Sequence, residues 1–485
     1  MIQSFLQLSK NKKWLIFLGL FAFIGGLFCI RNGHEWGDDF ALYLSQANAI
    51  LKGNTVELAK YNTWSMNHSD GTIGPYLYPP GYPLFLTLYL KFFPFSWVGI
   101  KIFQWVFYLL GGVAFYYLIS SFKVKLPNNW ILYVLAIVLI HPKIIEFSNR
   151  LMSDLWFLVT VYLFFYFLYA KEFSKISKLF LVGISLILAS LTRVNGFLLI
   201  GSWWIFLLVD QETRKNKFRD FLISVPFVLI VLYFKKLDNQ YEANHIDLLS
   251  SISISSIWAN FNMYFQQIGQ YTIWHLGFVK ISGYVCAFIL LFYFGFALKS
   301  NERLKLFAPV LVWIGINFVI IILWPLAQGT RYLLPIIPFV IWIAVVGFND
   351  WIENKKLNRW ISLLFICLLA LQSVASMTFY RFFYNANKVI GSTQTDIYDK
   401  VKLMIDDKEI IAFDKPRWLY LATNKKCIRK QSDSAFFASP AKYWLITNRN
   451  IYSGRLKKLS DPRLDSIYGN ADFTLYLRND LKRTK

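Results

Sequence analysis

Two carboxylates, Asp38 and Asp39, stand side by side in "GDDFALYLSQANAILKGN", residues 37–54. Phe40, Tyr43, Leu44, Ala47, Ile50 and Leu51 follow at helical spacing on one face, while Gln46, Lys52 and Asn54 fall elsewhere. The pattern predicts an amphipathic helix lying in a headgroup layer, with both acids at its N-terminus. An Asp in that position caps a helix and complements its dipole. One cap needs one acid, so the second is left over. A carboxylate there has the chemistry of a general base toward a hydroxyl or an amine. A second stretch, "YLYPPGYPLFLTLYLKFF" (76–93), places Tyr78 and Tyr82 around a rigid Pro-Pro-Gly turn that opens an apolar helix. Taken alone, it is a membrane-approach turn with interfacial tyrosines.

The elements that must position these residues are set by composition. The chain has 485 residues, of which 56% are hydrophobic, 19% aromatic and 16% charged, with a mean hydropathy of +0.42. A soluble globule of this size does not have that composition, and neither does a leader peptide followed by a soluble domain. The apolar residues fall in blocks long enough to cross a bilayer, which takes about 20 residues. Eleven spans are predicted, near 14–30, 98–120, 129–145, 152–170, 178–192, 195–209, 219–234, 278–298, 305–325, 332–349 and 360–378. The run 83–95 is short and carries Lys91, so it reads as a re-entrant or interfacial helix.

Lysine and arginine set the orientation. Alternate short loops are basic: Lys10, Lys12 and Lys13; Lys123 and Lys125; Lys171, Lys175 and Lys178; Arg214, Lys215, Lys217 and Arg219; Lys299, Arg303 and Lys305; Lys355, Lys356 and Arg359. The opposite loops hold mainly Lys143, Arg150, Arg193 and Arg331. The bias puts the N-terminus in the cytoplasm and, with eleven spans, the tail outside. The net charge of +23 is then partly topology. It points to anionic lipid headgroups and not to nucleic acid.

Residues 1–380 read as a membrane domain and 381–485 as a small soluble α/β domain outside the membrane. In the tail, "EIIAF", "YWLIT" and "FTLYL" are β-rich apolar runs, and "PRWLYLATN" is a short helix opened by Pro. The outer stretch 235–277 is polar and aromatic and predicts a surface helix with a loop. Cys29, Cys286 and Cys367 sit in spans and Cys427 stands alone, so there is no disulfide framework. The histidines are scattered, and the spacing of His68, Asp70 and Asp154 gives no reason to expect a metal. No cofactor is expected.

The ordered set of motifs resembles the GT-C class of membrane glycosyltransferases, similar to protein O-mannosyltransferases and aminoarabinose transferases. It consists of an acid with a tyrosine four residues on (Asp39, Tyr43), "YPPGYPLFL", "SDLWFL" at 153–158, "SLTRVNG" around Arg193, and "GTRYLLPIIP" containing Arg331 and Tyr332. The resemblance covers roughly residues 10–380. The class commonly shows Asp-Glu where this chain has Asp-Asp. Alignment on Tyr43 makes Asp39 the catalytic acid, and alignment on the pair makes it Asp38.

The resemblance implies an all-α polytopic fold with outer-face juxtamembrane helices. It implies a hexosyl- or pentosyltransferase in a bacterial inner (plasma) membrane. The donor would be a polyprenyl-phosphate-linked sugar, the acceptor a glycan, lipid or protein on the outer face, and the displacement inverting. Asp39, or Asp38, would take the acceptor's proton. Tyr78 and Tyr82 would orient the donor headgroup. An arginine at membrane depth is costly and is paired or functional, and its fork matches a phosphate. Arg331 and Arg193 are therefore expected at the leaving phosphate, and Arg150 at the interface, where long cations snorkel. The alternative is a multipass lipid or sugar transporter without transferase activity. It predicts charged or broken helices at mid-membrane and internal repeats. The spans here are apolar through their centres, and no repeat of fixed period is found.

Overall fold

Every predicted apolar run carries a helix. In chain order these are Lys10–Cys29, Trp97–Ser121, Asn128–Ile140 continued by Pro142–Ser148, Ser153–Tyr169, Lys175–Thr192, Leu199–Val209, Lys217–Leu237, Lys280–Ala297, Asn301–Leu323, Ile337–Trp351 and Lys355–Thr378. The computed structural model describes residues 10–35, 38–71, 74–124, 126–210, 217–237, 252–272, 280–324, 329–352, 355–383, 389–390, 395–448, 461–470 and 472–480. Among the described residues, five helical stretches are long and apolar enough to cross a membrane: Trp97–Ser121, Asn128–Ser148, Lys175–Thr192, Asn301–Leu323 and Lys355–Phe382. Five further apolar helices are shorter. The 235–277 stretch yields the helix Ile254–Thr272, with 238–251 and 273–279 outside the described residues.

The chain divides into two compact units. The first comprises residues 1–30, 102–149 and 153–383. Its core is built on indoles: Trp105, Trp130, Trp203, Trp313 and Trp342 are all fully buried. A buried indole needs an acceptor for its N–H. Trp105 donates to the Ala22 carbonyl at 3.2 Å, Trp130 to Asn358 Oδ1 at 2.5 Å and Trp313 to the Pro335 carbonyl at 3.0 Å. The helices Ile254–Thr272 and Lys280–Ala297 meet backbone to backbone at Gly269 and Gly283. A Cβ on Gly269 would lie 1.8 Å from the Gly283 oxygen. Small residues at such crossings let membrane helices pack closely.

The second unit comprises residues 31–101, 150–152 and 384–485, so the long segment after the first helix folds with the tail. Two strands begin it: β1 (His34–Glu35) pairs antiparallel with β2 (Val389–Ile390). The amphipathic helix forms as predicted over Asp39–Lys52. It ends at Gly53, whose φ of 71° suits a residue without a Cβ. Helices Thr55–Asn67 and Gly81–Phe92 follow, the latter on the predicted interfacial run. The tail's three β-rich runs form β3 (Ile410–Ala412), β5 (Tyr443–Thr447) and β7 (Phe473–Arg478). With β4 (Lys426–Ile428) and β6 (Leu464–Gly469) they give a five-stranded mixed sheet ordered β4-β3-β5-β7-β6. β3 runs parallel to β4 and β5, and β7 antiparallel to β5 and β6. The predicted tail helix is Pro416–Thr423, with Pro at its first turn and Asn424 left-handed at its end (φ 59°).

Candidate functional clusters

In the second unit the acid pair stands at the start of the helix Asp39–Lys52, and Tyr43 of that helix packs with two tyrosines of the Pro-rich stretch. Tyr43 stacks on Tyr78 with ring centroids 4.4 Å apart and meets Tyr82 edge-on at 4.9 Å. The Pro-rich turn is pinned by Gln46. Its amide nitrogen donates to the Tyr78 carbonyl and its amide oxygen accepts the Tyr78 N–H, each at 2.9 Å. The Tyr78 ring is thereby held so that its hydroxyl hydrogen-bonds the Asp39 side chain. Burial, followed by the Asp39 charge, pushes the Tyr78 hydroxyl well above its ordinary range, so it keeps its proton and donates.

Asp38 departs from the expectation of a helix cap. It occupies the cap position of its own helix but makes no capping hydrogen bond there. Its Oδ1 accepts instead from the backbone N–H of Trp418, at 3.0 Å. Trp418 lies in the first turn of Pro416–Thr423, where N–H groups have no helical acceptor. Asp38 therefore serves the orphan donor of a different helix. Loss of water around the carboxyl pushes Asp38 up to about 6. The Arg417 guanidinium opposes this most strongly, then the Trp418 N–H and Lys415, while Asp39 adds to it.

Arg417 is the residue that sequence reading missed. It is buried, its Nη2 donates to the Pro75 carbonyl at 2.5 Å, and its guanidinium carbon lies 5.9 Å from the centroid of the Tyr78 ring. The only signal in the sequence is a cation in the first turn of a short helix, which the helix dipole disfavours.

In the first unit the predicted arginines converge on Asp154. Arg193 Nη1 lies 2.5 Å from Asp154 Oδ1, and Arg331 Nε donates to Oδ1 and Oδ2 at 2.9 Å each. Both arginines sit where helices break. Arg193 is extended after Lys175–Thr192 and before the short turn Val194–Leu198, and Arg331 lies in the turn Gly329–Tyr332. Tyr332 lines the cluster, its ring centroid 5.7 Å from the Arg193 guanidinium carbon, with Phe157 at 5.8 Å. Asp154 itself is buried at the head of Ser153–Tyr169. One carboxylate thus fixes two guanidiniums side by side, an arrangement suited to reading an anion.

Asp70 is engaged by Lys430 at 2.7 Å, and His68 Nδ1 lies 2.8 Å from the Trp64 carbonyl. Among the described residues no three His, Cys, Asp or Glu side chains gather at metal-binding distance.

No protein family scanned matches this chain, and no curated protein is similar in sequence. Solved structures are similar in fold. ArnT from Cupriavidus metallidurans in the apo state superposes with a TM-score of 0.57 at 11% identity, covering 96% of this chain and 98% of that one. The same protein bound to undecaprenyl phosphate gives 0.56 at 12%, with the same coverage. The chain has the GT-C fold. Archaeal oligosaccharyltransferase AglB from Archaeoglobus fulgidus, in complex with an inhibitory peptide and a dolichol-phosphate, gives 0.53 at 11%. That match covers 90% of this chain and 70% of AglB. The GT-C fold and the apolar helices make the chain an integral membrane protein.

Proposed function

We propose that this GT-C chain transfers a sugar from a polyprenyl-phosphate donor to an acceptor on the outer face of the membrane. The observation that carries the reading is the Arg193–Asp154–Arg331 cluster, with salt bridges of 2.5 and 2.9 Å. Asp154 balances only one of the two guanidinium charges, so the cluster keeps a net positive charge that favours a further anion. A lipid phosphate supplies that anion, and proteins with this fold have been solved with undecaprenyl phosphate and dolichol-phosphate bound.

The proposed reaction is a single displacement. The acceptor hydroxyl or amine gives its proton to Asp39, with Asp38 as the alternative base. Its lone pair forms a bond to the anomeric carbon as the bond from that carbon to the phosphate oxygen breaks. The phosphate leaves with the electron pair and the configuration inverts. Arg331 and Arg193 meet the charge that develops on the phosphate. Tyr78, Tyr82, Tyr43 and Tyr332 orient the substrates. All eleven helices on apolar runs span the membrane, with the N-terminus inside. Residues 381–485 lie outside, beyond a membrane domain of residues 1–380.

The test is to incubate the purified protein with a panel of polyprenyl-phosphate sugars and measure released polyprenyl phosphate. Release from one sugar, abolished together by Asp38→Asn and Asp39→Asn, is the expected result. Movement of intact donor across a sealed vesicle, without release, would favour a transporter.

A further inference from the structure

Two arginines of the second unit are equally buried, Arg417 and Arg478, each 5% exposed. Arg478 is what a structural arginine looks like. Its Nη1 donates to the Ser439 and Ala441 carbonyls at 2.8 and 3.2 Å, and its Nη2 to the Phe437 carbonyl at 3.0 Å. Its Nε and Nη2 also reach Asp480 at 3.0 and 2.7 Å. Arg417 is different. Its Nη2 holds the Pro75 carbonyl, but its Nη1 is buried with no hydrogen-bond partner among the described residues. Leaving a charged donor dry and unpaired costs more than any neutral group would.

Gly74 lies against the guanidinium with φ of 84°, and a Cβ there would sit 3.1 Å from Nη1 and 3.2 Å from Nη2. A larger residue would be strained by the backbone and would crowd the donor. Asp38 Oδ1 accepts the Trp418 N–H, and the Asp38 charge acts on the guanidinium without a hydrogen bond to Nη1. Lys415 and Arg417 bracket the first turn of Pro416–Thr423, whose own N–H groups add positive potential. The corner therefore favours an oxyanion.

We infer that Arg417 forms a second oxyanion site beside the acid pair, its Nη1 donating to a phosphate or carboxylate oxygen of a substrate. The inference rests on the proposed transferase reading for the identity of that substrate. Two sources share this chemistry: the phosphate of the lipid donor, or an anionic group on the acceptor. The tail, through Arg417, then contributes directly to substrate binding.

The experiment is calorimetric titration of the full-length protein in detergent, in two arms. The first arm titrates undecaprenyl phosphate. The second titrates inorganic phosphate into protein already loaded with undecaprenyl phosphate. Loss of one charge-assisted hydrogen bond should weaken binding roughly ten- to a hundredfold in Arg417→Gln. Weakening in the first arm assigns the donor phosphate, and weakening only in the second assigns an acceptor anion. If Arg417→Gln does not fold, Arg417→Lys reads the same arms. One ammonium cannot hold the Pro75 carbonyl and an oxyanion in the same fork geometry, so several-fold weakening is expected. Unchanged affinity in both arms, for whichever variant folds, overturns the site, as does a wild type that binds neither probe. If the wild type binds inorganic phosphate through Arg417 but not lipid phosphate, the site stands and the polyprenyl-phosphate reading fails.

Discussion

Asp38 Oδ1 and the backbone N–H of Trp418, 380 residues apart in the chain, lie 3.0 Å from each other. One member of the acid pair is therefore tied to the tail, while the other, Asp39, hydrogen-bonds Tyr78. The two carboxylates are adjacent in sequence but different in surroundings. Such division lets neighbouring acids take different roles.

The first expectation concerns those roles. Asp39→Asn should lower turnover on the order of 10²–10⁴-fold, the usual worth of a general base. Asp38→Asn should cost less, because the amide oxygen still accepts from Trp418. Single-turnover rates at equal expression decide it. The reverse order would move the base to Asp38.

The second is a pH dependence. Asp38 is held at about 6 against an ordinary 3.8. A raised carboxyl binds its proton more tightly in the folded state than in the unfolded one. Its contribution to stability is thus largest below the ordinary value and is lost as pH rises through 6. The charged groups acting on it are Arg417, Lys415 and Asp39. Asp38→Asn should therefore gain melting temperature relative to wild type as pH goes from 4 to 7. A difference that stays flat across that range would mean that Asp38 is not raised.

The third concerns Arg331. Arg331→Lys keeps a charge but loses the planar edge that grips Asp154, so donor turnover should be clearly impaired. Arg331→Ala should cost roughly 10²–10³-fold. Asp154→Ala should be the most destabilising of the set, since it leaves two partly buried guanidiniums without their shared carboxylate, a loss of about 3 kcal/mol, the low end for breaking a buried pair. Full activity of the Lys variant would remove the phosphate-clamp role and leave Arg193 as the next candidate.

The fourth concerns topology. Cys427 is buried, so a probe site must be introduced; Leu403, 81% exposed, serves. Leu403→Cys should react with a membrane-impermeant maleimide on intact cells. Labelling only after permeabilisation would place the tail inside.

Much of this was legible because it is local. Apolar run length predicted where the apolar helices form, and period and Pro placement predicted Asp39–Lys52 and Pro416–Thr423 within a residue or two. The convergence of Arg193 and Arg331 was half-visible, since arginine at a helix break in an apolar body demands a reason. Its hub, Asp154, was noted as part of a motif and as a metal ligand without supporting spacing, because an acid in the first turn of a helix has an ordinary capping explanation. Arg417 left only a faint signal, a cation in the first turn of a helix, and Trp418 left none. Their meaning comes from contacts with Asp38, Pro75 and Tyr78, and nothing in local periodicity encodes a contact across more than 300 residues. The same holds for the pairing of β1 with β2.

That pairing also bears on how the molecule is made. The two main pieces of the second unit are separated by about 290 residues, from Lys101 to Val389. At a synthesis rate of about 5–20 residues per second, the first piece waits roughly 15–60 s for the second. Until then Asp38 has no Trp418 and the loop must close over a very long chain, a slow step for non-local contacts. A nascent or truncated chain can insert its helices and still have no finished acid site. The Asp38 contact is made only after synthesis has passed Trp418, so a chain stopped short of it would lack that contact.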